Sequence, residues 1–429
     1  MPDALLLFLI TLVLITCVSL LLRAPPFFTL IGAAVFYGLL SGMNLDSVFQ
    51  AIIGGLGRVF GIFAIIILCG AVIARTLQEQ GLIEALVADI RRRTGDPHTL
   101  SGLAGYLFAL PTTCCITAFV MLSPVLERLG RNASENRGLL YLAAVGSVIS
   151  YTLVYPTPVT IPLFSTIGSD VSPLVFDLLA IPLSLILLAG IILAARARTC
   201  RIKGGAGDTV EDAQTEMSGS HPGSPDRFHW RAWAPFLVIV VAIPAGILLL
   251  SLPHASLIQF IMLAGAAAAI ALAPHSARMA GIQQGTKHAG MIMFDICGAG
   301  ALGSVIVKAG FASQALPQIA ALLPLVLVPF VLTALIQAAQ GSRVVTTVIA
   351  SELIAGGQMV AGLHPITLLL SISAGACVVS YVTDPYFWLL QRSTGDGIGT
   401  VVKHYTVPLA VAGIVVLLAA IGLDTLVLA

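Results

Sequence analysis

The sequence predicts an all-α polytopic membrane protein made of two inverted repeats, each with a re-entrant helical hairpin and a broken transmembrane helix. Three observations carry that prediction. The chain of 429 residues is 58% hydrophobic and only 10% charged, whereas a soluble domain is about 25% charged. Apolar runs recur at 4–22, 59–74, 173–195, 234–252, 257–273 and 405–427, each close to the roughly 20 residues that cross a hydrocarbon core. One pattern of spans and polar interruptions occurs twice, 228 positions apart.

The apolar runs are continuous rather than alternating, which disfavours a β-barrel. Ten or eleven full spans are expected, with shorter broken pieces between them. The first run, MPDALLLFLITLVLITCVSLLL, lacks a basic leading region and a small-residue cleavage site. It is expected to be a retained span rather than a signal peptide. Lys and Arg concentrate on cytoplasmic loops. Placing Arg23, Arg91 to Arg93, Arg128, Arg131, Arg137, Arg196, Arg198, Arg201 and Lys203 in the cytoplasm gives one consistent threading. The N-terminus and the turn at 41–46 then lie outside. Arg91 to Arg93 end an amphipathic stretch, GLIEALVADI, and are expected to sit at the headgroups. Residues 197–228, rich in Gly, Ser, Asp and Pro, read as a cytoplasmic linker.

The repeats follow. Residues 1–196 form the first, with a hairpin at about 98–128 and a break at about 155–158. Residues 229–429 form the second, with a hairpin at about 320–356 and a break at about 383–386. Cys69-Gly70-Ala71 and Cys297-Gly298-Ala299 set the offset. Cys114 to Thr157 spans 43 residues, as does Gly341 to Asp384. Paired broken helices in inverted repeats mark secondary transporters, whose sites lie where the breaks meet. Free backbone groups are tolerated at membrane depth only when buried in protein or lining a wet cavity, where half-helix N-termini hold anions.

Candidate residues come from those interruptions. Around the first tip stand Thr112, Thr113, Cys114 and Thr117, with Thr157 in the first break. Gln340, Gly341, Ser342 and Arg343 form the second tip, and Thr383 and Asp384 the second break. Arg343 is the most pointed: a cation at membrane depth costs about 2.5–3.5 kcal/mol on insertion scales, and its guanidinium suits a carboxylate. It is read as a substrate contact, or as an ion-pair partner of Glu352. Asp384 is read as a substrate or proton site that also caps the helix after Pro385. Asp295 and Glu352 are further candidates for proton coupling, Asp295 alternatively pairing with Lys287 or His288. Gly54, Gly55, Gly57, Gly61, Gly298, Gly300 and Gly303 are expected at close helix contacts.

At these residues the chain resembles the gluconate permease (GntP) family of organic-anion transporters, within the wider ion-transporter superfamily. Ala339-Gln340-Gly341-Ser342 matches the family's AQGS hairpin. Gly298-Ala299-Gly300-Ala301 resembles its glycine-rich segment, Tyr381 to Leu389 its ND…FWL stretch, and Tyr155-Pro156-Thr157-Pro158 its proline break. The resemblance implies proton-coupled uptake of gluconate or related sugar and hydroxy acids across a bacterial inner membrane. It also implies a homodimer with a mobile unit built on the hairpins. This sequence departs from the pattern in three places. Its first tip carries no acid, Arg343 stands where the family favours small residues, and Thr383 replaces an Asn. Sodium-coupled dicarboxylate transport is the alternative within the superfamily.

Other classes find less support. There is no HExxH, no GxSxG and no GxxxxGK[ST], so neither an embedded hydrolase nor ATP-driven transport is expected. Six of the seven cysteines (Cys17, Cys69, Cys114, Cys115, Cys297 and Cys377) sit within apolar runs without metal-ligand spacing. They read as packing residues. No cofactor or metal is expected. Hairpins closing one site from opposite sides favour alternating access over a channel.

Overall fold

The described residues of the computed structural model are 3–22, 24–127, 129–130, 132–168, 171–203, 229–356, 362–381 and 383–427. Among them the regular structure is helical throughout, with no strand. The first half contains α1 (Ala4–Cys17, extended by a π turn to Leu22), α2 (Pro26–Leu40), α3 (Leu45–Glu79), α4 (Leu82–Thr94), α5 (Pro97–Ala109), α6 (Cys115–Leu126), α7 (Ala133–Leu153), α8 (Ile161–Thr166) and α9 (Pro173–Lys203). The second contains α10 (Trp230–Pro244, extended by a π turn to Leu249), α11 (His254–Leu272), α12 (His275–Lys308), α13 (Phe311–Leu322), α14 (Leu327–Gln340), α15 (Arg343–Ala355), α16 (Pro365–Val378), α17 (Pro385–Thr394), α18 (Ile398–Val401) and α19 (Val407–Val427), with a π turn between the last two.

Element boundaries follow local chemistry. Asn44 caps α3 through the Ser47 amide, Asp96 caps α5 through Thr99, and Asn132 caps α7 through Glu135, each supplying an acceptor that the first helical turn lacks. Gly95, Gly341 and Gly395 end α4, α14 and α17 at positive φ, the left-handed geometry of a helix C-cap.

Four described helices are long and apolar enough to cross a membrane: Leu45–Glu79, Pro173–Ala197, His275–Lys308 and the continuous run Ile398–Leu426. A fifth span is reached if Phe311–Leu322 and Leu327–Gln340, bent by 112°, count together. The expected ten or eleven full spans are therefore not matched by length. Several apolar runs form helices of 10–17 residues, including Ala4–Cys17, Pro26–Leu40 and Trp230–Pro244, because prolines, π turns and breaks divide the hydrophobic sequence. Helix α9 runs through Lys203, so the start of the expected linker is helical. Arg23, Arg128, Arg131 and residues 204–228 lie outside the described residues.

The two halves repeat in element order, and most counterparts start within a few residues of the 228-position offset. Helices α3 and α12, the longest two, cross in antiparallel sense. A Cβ on Gly55 would lie 2.2 Å from the Gly300 carbonyl oxygen, and those on Gly285 and Gly281 would strike Val72 and Thr76. Small residues thus bring the backbones together where lipid supplies no hydrophobic drive. Gly55 and Gly300 meet the expectation of close contact. Gly54, Gly57 and Gly61 do not, since a Cβ there meets nothing within 4 Å. The first helix of each half packs across to the other: the ring of Phe8 of α1 lies tilted against that of Phe311 of α13 at 4.7 Å, while His229 and Trp233 at the start of α10 bond Asp89 of α4.

Candidate functional site

The second tip is set by Gly341. Its φ is +72°, and its amide donates to the Gln337 carbonyl, closing α14. A Cβ there would sit 2.0 Å from the Thr383 carbonyl oxygen. Only glycine satisfies both the left-handed backbone and that approach. The tip is therefore pressed onto the second break, which spans the gap between α16 and α17, and the Thr383 hydroxyl donates to the Ala338 carbonyl at 2.8 Å.

This contact delivers Arg343, the first residue of α15, to Asp384, the N-cap of α17. The guanidinium Nη2 donates to Ser380 Oγ at 2.5 Å, Asp384 Oδ2 at 3.1 Å and the Tyr405 hydroxyl at 3.2 Å. Tyr405 donates to the same carboxylate oxygen at 2.9 Å. The other oxygen, Oδ1, accepts the Tyr386 amide at 2.9 Å, so Asp384 caps the helix and faces the arginine at once. Arg343 is 5% exposed and Asp384 1%. Tyr386 lies against Tyr405 and shares a hydrogen bond with Ser147 of α7. Cys115 at the first tip and Tyr151 of α7 stand within electrostatic reach of Arg343. The two hairpins and the second break thus converge on one buried charge pair.

Along the two arms of this hairpin several polar atoms have no hydrogen-bond partner among the described residues: Arg343 Nε, both amide atoms of Gln337, Gln340 Oε1 and Thr346 Oγ1. Gln337 and Thr346 are fully buried, one turn from the tip on either arm. Unpaired polar groups of this kind cost about 1–3 kcal/mol each, so a cluster of them needs explaining. Ser342, the N-cap of α15, makes no side-chain cap bond.

The first tip is built differently. The Thr112 hydroxyl donates to the carbonyls of Phe108 (2.7 Å) and Cys114 (3.2 Å). Thr113 adopts φ +50° and fills the space over Gly70. The Cys114 thiol accepts the Thr117 amide at 3.5 Å, capping α6. Thr117 itself bonds His288 Nε2 of α12 at 2.9 Å. Thr157 closes the first break upon itself through the Tyr151 carbonyl and Thr160.

Two coupling candidates lie apart from the charge pair. Glu352 pairs with Arg58 of α3 at 3.4 Å rather than with Arg343, because it lies more than two helical turns beyond Arg343 on α15. Its Oε2 packs toward Gly303 and has no partner among the described residues. Asp295 lies on α12 close to Phe27 at the start of α2, and forms no ion pair with Lys287 or His288 among the described residues. Ser380, Tyr405, Gln337 and Arg58 were not singled out from sequence, and His288, considered as a partner of Asp295, bonds Thr117 instead. Tyr405 opens a run that reads as plain hydrocarbon, and Ser380 looks like any small residue before a break. Gln337 alone carried a signal, being an amide between apolar residues.

A cavity of about 450 Å³ opens beside α3, α8, α9 and α11, lined in part by Ile62, Tyr155, Phe164 and Gln259. A smaller one of about 40 Å³ shares Ile62 and Ser165 with it and reaches Arg58 and Glu352. Neither is lined by Arg343 or Asp384. A third, apolar cavity of about 490 Å³ lies between α7, α9 and α19, away from the pair.

Comparison with known proteins agrees with this architecture. A family profile described as GntP family permease matches residues 4–427. The gluconate permease of Zymomonas mobilis is 25% identical over 429 residues, covering 94% of each chain. The low-affinity gluconate transporter of Escherichia coli is 24% identical over 435 residues, covering 92% of each. Among solved structures, the YdaH transporter of Alcanivorax borkumensis superimposes with a TM-score of 0.63 at 16% identity, covering 94% of this chain and 98% of its own. At that identity the likeness bears on fold alone.

Proposed function

The chain belongs to the GntP permease family, and on that footing we propose that it is a secondary active transporter importing a small organic anion, gluconate or a related sugar or hydroxy acid, by proton symport. The observation that carries this reading is the Arg343 guanidinium, buried at a hairpin tip with one carboxylate partner and an unpaired Nε, on a hairpin whose Gln337, Gln340 and Thr346 also leave polar atoms unpaired. A planar cation whose fork of N–H donors matches two oxygens suits a carboxylate. Neighbouring hydroxyls and amides suit a hydroxylated chain.

In this reading Thr112, Thr113, Cys114, Thr117, Gln340, Gly341, Ser342, Arg343, Thr383 and Asp384 form the substrate region, with Thr157 holding the first break in shape. Asp384 and Glu352 are the coupling carboxylates, and Asp295 the third candidate. The halves are inverted repeats, supported by the antiparallel crossing of the counterparts α3 and α12. The protein sits in a bacterial inner membrane as a homodimer, with the hairpins moving against a scaffold that contains those two helices.

The test is uptake into proteoliposomes containing the purified protein. Labelled gluconate, other sugar acids and C4-dicarboxylates are screened by counterflow, then driven by a pH or a Na⁺ gradient. Accumulation of a sugar acid with the pH gradient, abolished in a folded Arg343→Ala variant, is the expected result. Dicarboxylate uptake driven by Na⁺ would replace this reading with the sodium-coupled one, and unchanged transport by Arg343→Ala would remove Arg343 from the site.

A further inference from the structure

The charge pair also bears on how anion and proton are coupled. In the described structure Arg343 has one carboxylate partner, Asp384, held by two hydrogen-bonded contacts: directly through Nη2, and through the Tyr405 hydroxyl that bonds both. The ionisable groups facing Asp384 are Arg343 from α15, Tyr405 from the π turn before α19, and Cys115 from α6; Tyr386 on its own helix meets it through the backbone amide, its hydroxyl bonding Ser147. Among the described residues no second acid pairs with Arg343, and Glu352 pairs with Arg58 instead. The pair is neutral as a unit. An anion bound at Arg343 beside an ionised Asp384 would leave two negative charges on one buried cation, an arrangement the interior strongly disfavours.

We propose that the substrate carboxylate and the Asp384 carboxylate are alternative occupants of Arg343, so that anion entry and protonation of Asp384 are one event. The inference rests on the reading of Arg343 as the anion contact. A proton from the aqueous side adds to Asp384 Oδ2, the oxygen that faces Arg343. The guanidinium N–H then donates to the incoming carboxylate instead. Site charge is zero before and after, and one proton accompanies each carboxylate. Tyr405 is a positioning residue: its hydroxyl bonds the ionised acid and, once Asp384 is neutral, is free to turn. Oδ1 remains on the Tyr386 amide throughout, so α17 keeps its cap while the charge changes. The unpaired Arg343 Nε supplies a further donor for the incoming anion.

The experiment measures gluconate binding to the purified full-length protein by titration calorimetry, in buffers of different ionisation enthalpy and across pH. Wild type is expected to take up about one proton per anion bound, with affinity falling about tenfold for each pH unit across the coupling window. Asp384→Asn keeps the cap acceptor but cannot ionise; it is expected to bind gluconate with no proton uptake and a flat pH profile. Tyr405→Phe removes one hydrogen bond to the ionised acid, so the acid edge of the window moves to higher pH. The exchange is overturned if wild type binds without proton uptake, if Asp384→Asn still takes up one proton, or if Tyr405→Phe leaves the window unmoved. Arg343→Gln separates the two levels. Undiminished binding by that variant sinks the anion-contact reading itself. Lost binding in Arg343→Gln together with undiminished proton uptake in Asp384→Asn sinks the exchange alone.

Discussion

At the residue scale, Gly341 is the most constrained position of the site. An L-residue at φ +72° pays about 1–2 kcal/mol for the left-handed backbone, and its Cβ would be pushed into the Thr383 carbonyl at 2.0 Å. Gly341→Ala is therefore expected to lift the tip from the break and separate Arg343 from Asp384. The expected outcome is at least a tenfold loss of uptake with the protein still inserted, measured by transport against surface-corrected protein amount. Gly397→Ala, where a Cβ meets nothing within 4 Å, serves as the control and is expected to transport normally. Arg343 and Asp384 were legible in the sequence because a charge in hydrocarbon is costly and so stands out. Their partners Ser380 and Tyr405 were not, because a serine or tyrosine in an apolar run carries no such cost once its hydroxyl finds a bond. Only the fold brings Tyr405 to residues 62 and 21 positions away.

At the element scale, the crossing of α3 and α12 shows what glycine spacing does and does not reveal. The sequence marks Gly54, Gly55 and Gly57 alike, yet only Gly55 of these meets the facing backbone. Which side of a helix turns inward depends on its partner, and an apolar helix in lipid has no polar face to betray it. Gly55→Ile is expected to force the scaffold apart and lower Tm by several degrees, while Gly57→Ala, with open space around it, leaves it within about a degree. A fluorescence melt in detergent decides this. Helix α4 offers a second test. Burial pushes the Asp89 carboxyl up, but hydrogen bonds from the His229 amide and ring and from Trp233 outweigh it and hold the group below the usual carboxylate range. A group with a lowered folded-state pKa stabilises above its unfolded value, near pH 4, and loses that contribution as pH falls through the folded value. Asp89→Asn is thus expected to melt earlier than wild type at pH 7, with the difference shrinking as the pH approaches 3.

At the scale of the whole molecule, the decisive question is orientation. The element order repeats at one offset, and the counterparts α3 and α12 cross antiparallel. If the repeats are inverted, positions 228 apart lie on opposite sides of the membrane. Asp46, in the first turn of α3, and Pro274, the N-cap of α12, are such a pair, and both are exposed. The charge distribution supports one assignment of the two sides. Ion pairs Arg196–Asp96, Arg137–Asp396 and His229–Asp89 gather at the end that carries α4, and Lys308 stands near Asp46 at the other end. By the positive-inside rule we propose that the α4 end faces the cytoplasm. A membrane-impermeant maleimide applied to intact spheroplasts is expected to label Asp46→Cys above the background of native cysteines. Pro274→Cys should react only after the membrane is opened. Labelling of both from one side would mean that the repeats run parallel, and the picture of two hairpins entering from opposite faces toward Arg343 would fall with it. Labelling of Pro274→Cys alone would keep the inversion and turn the whole molecule over, so that Arg58 and Glu352 would face the cytoplasm rather than the incoming anion.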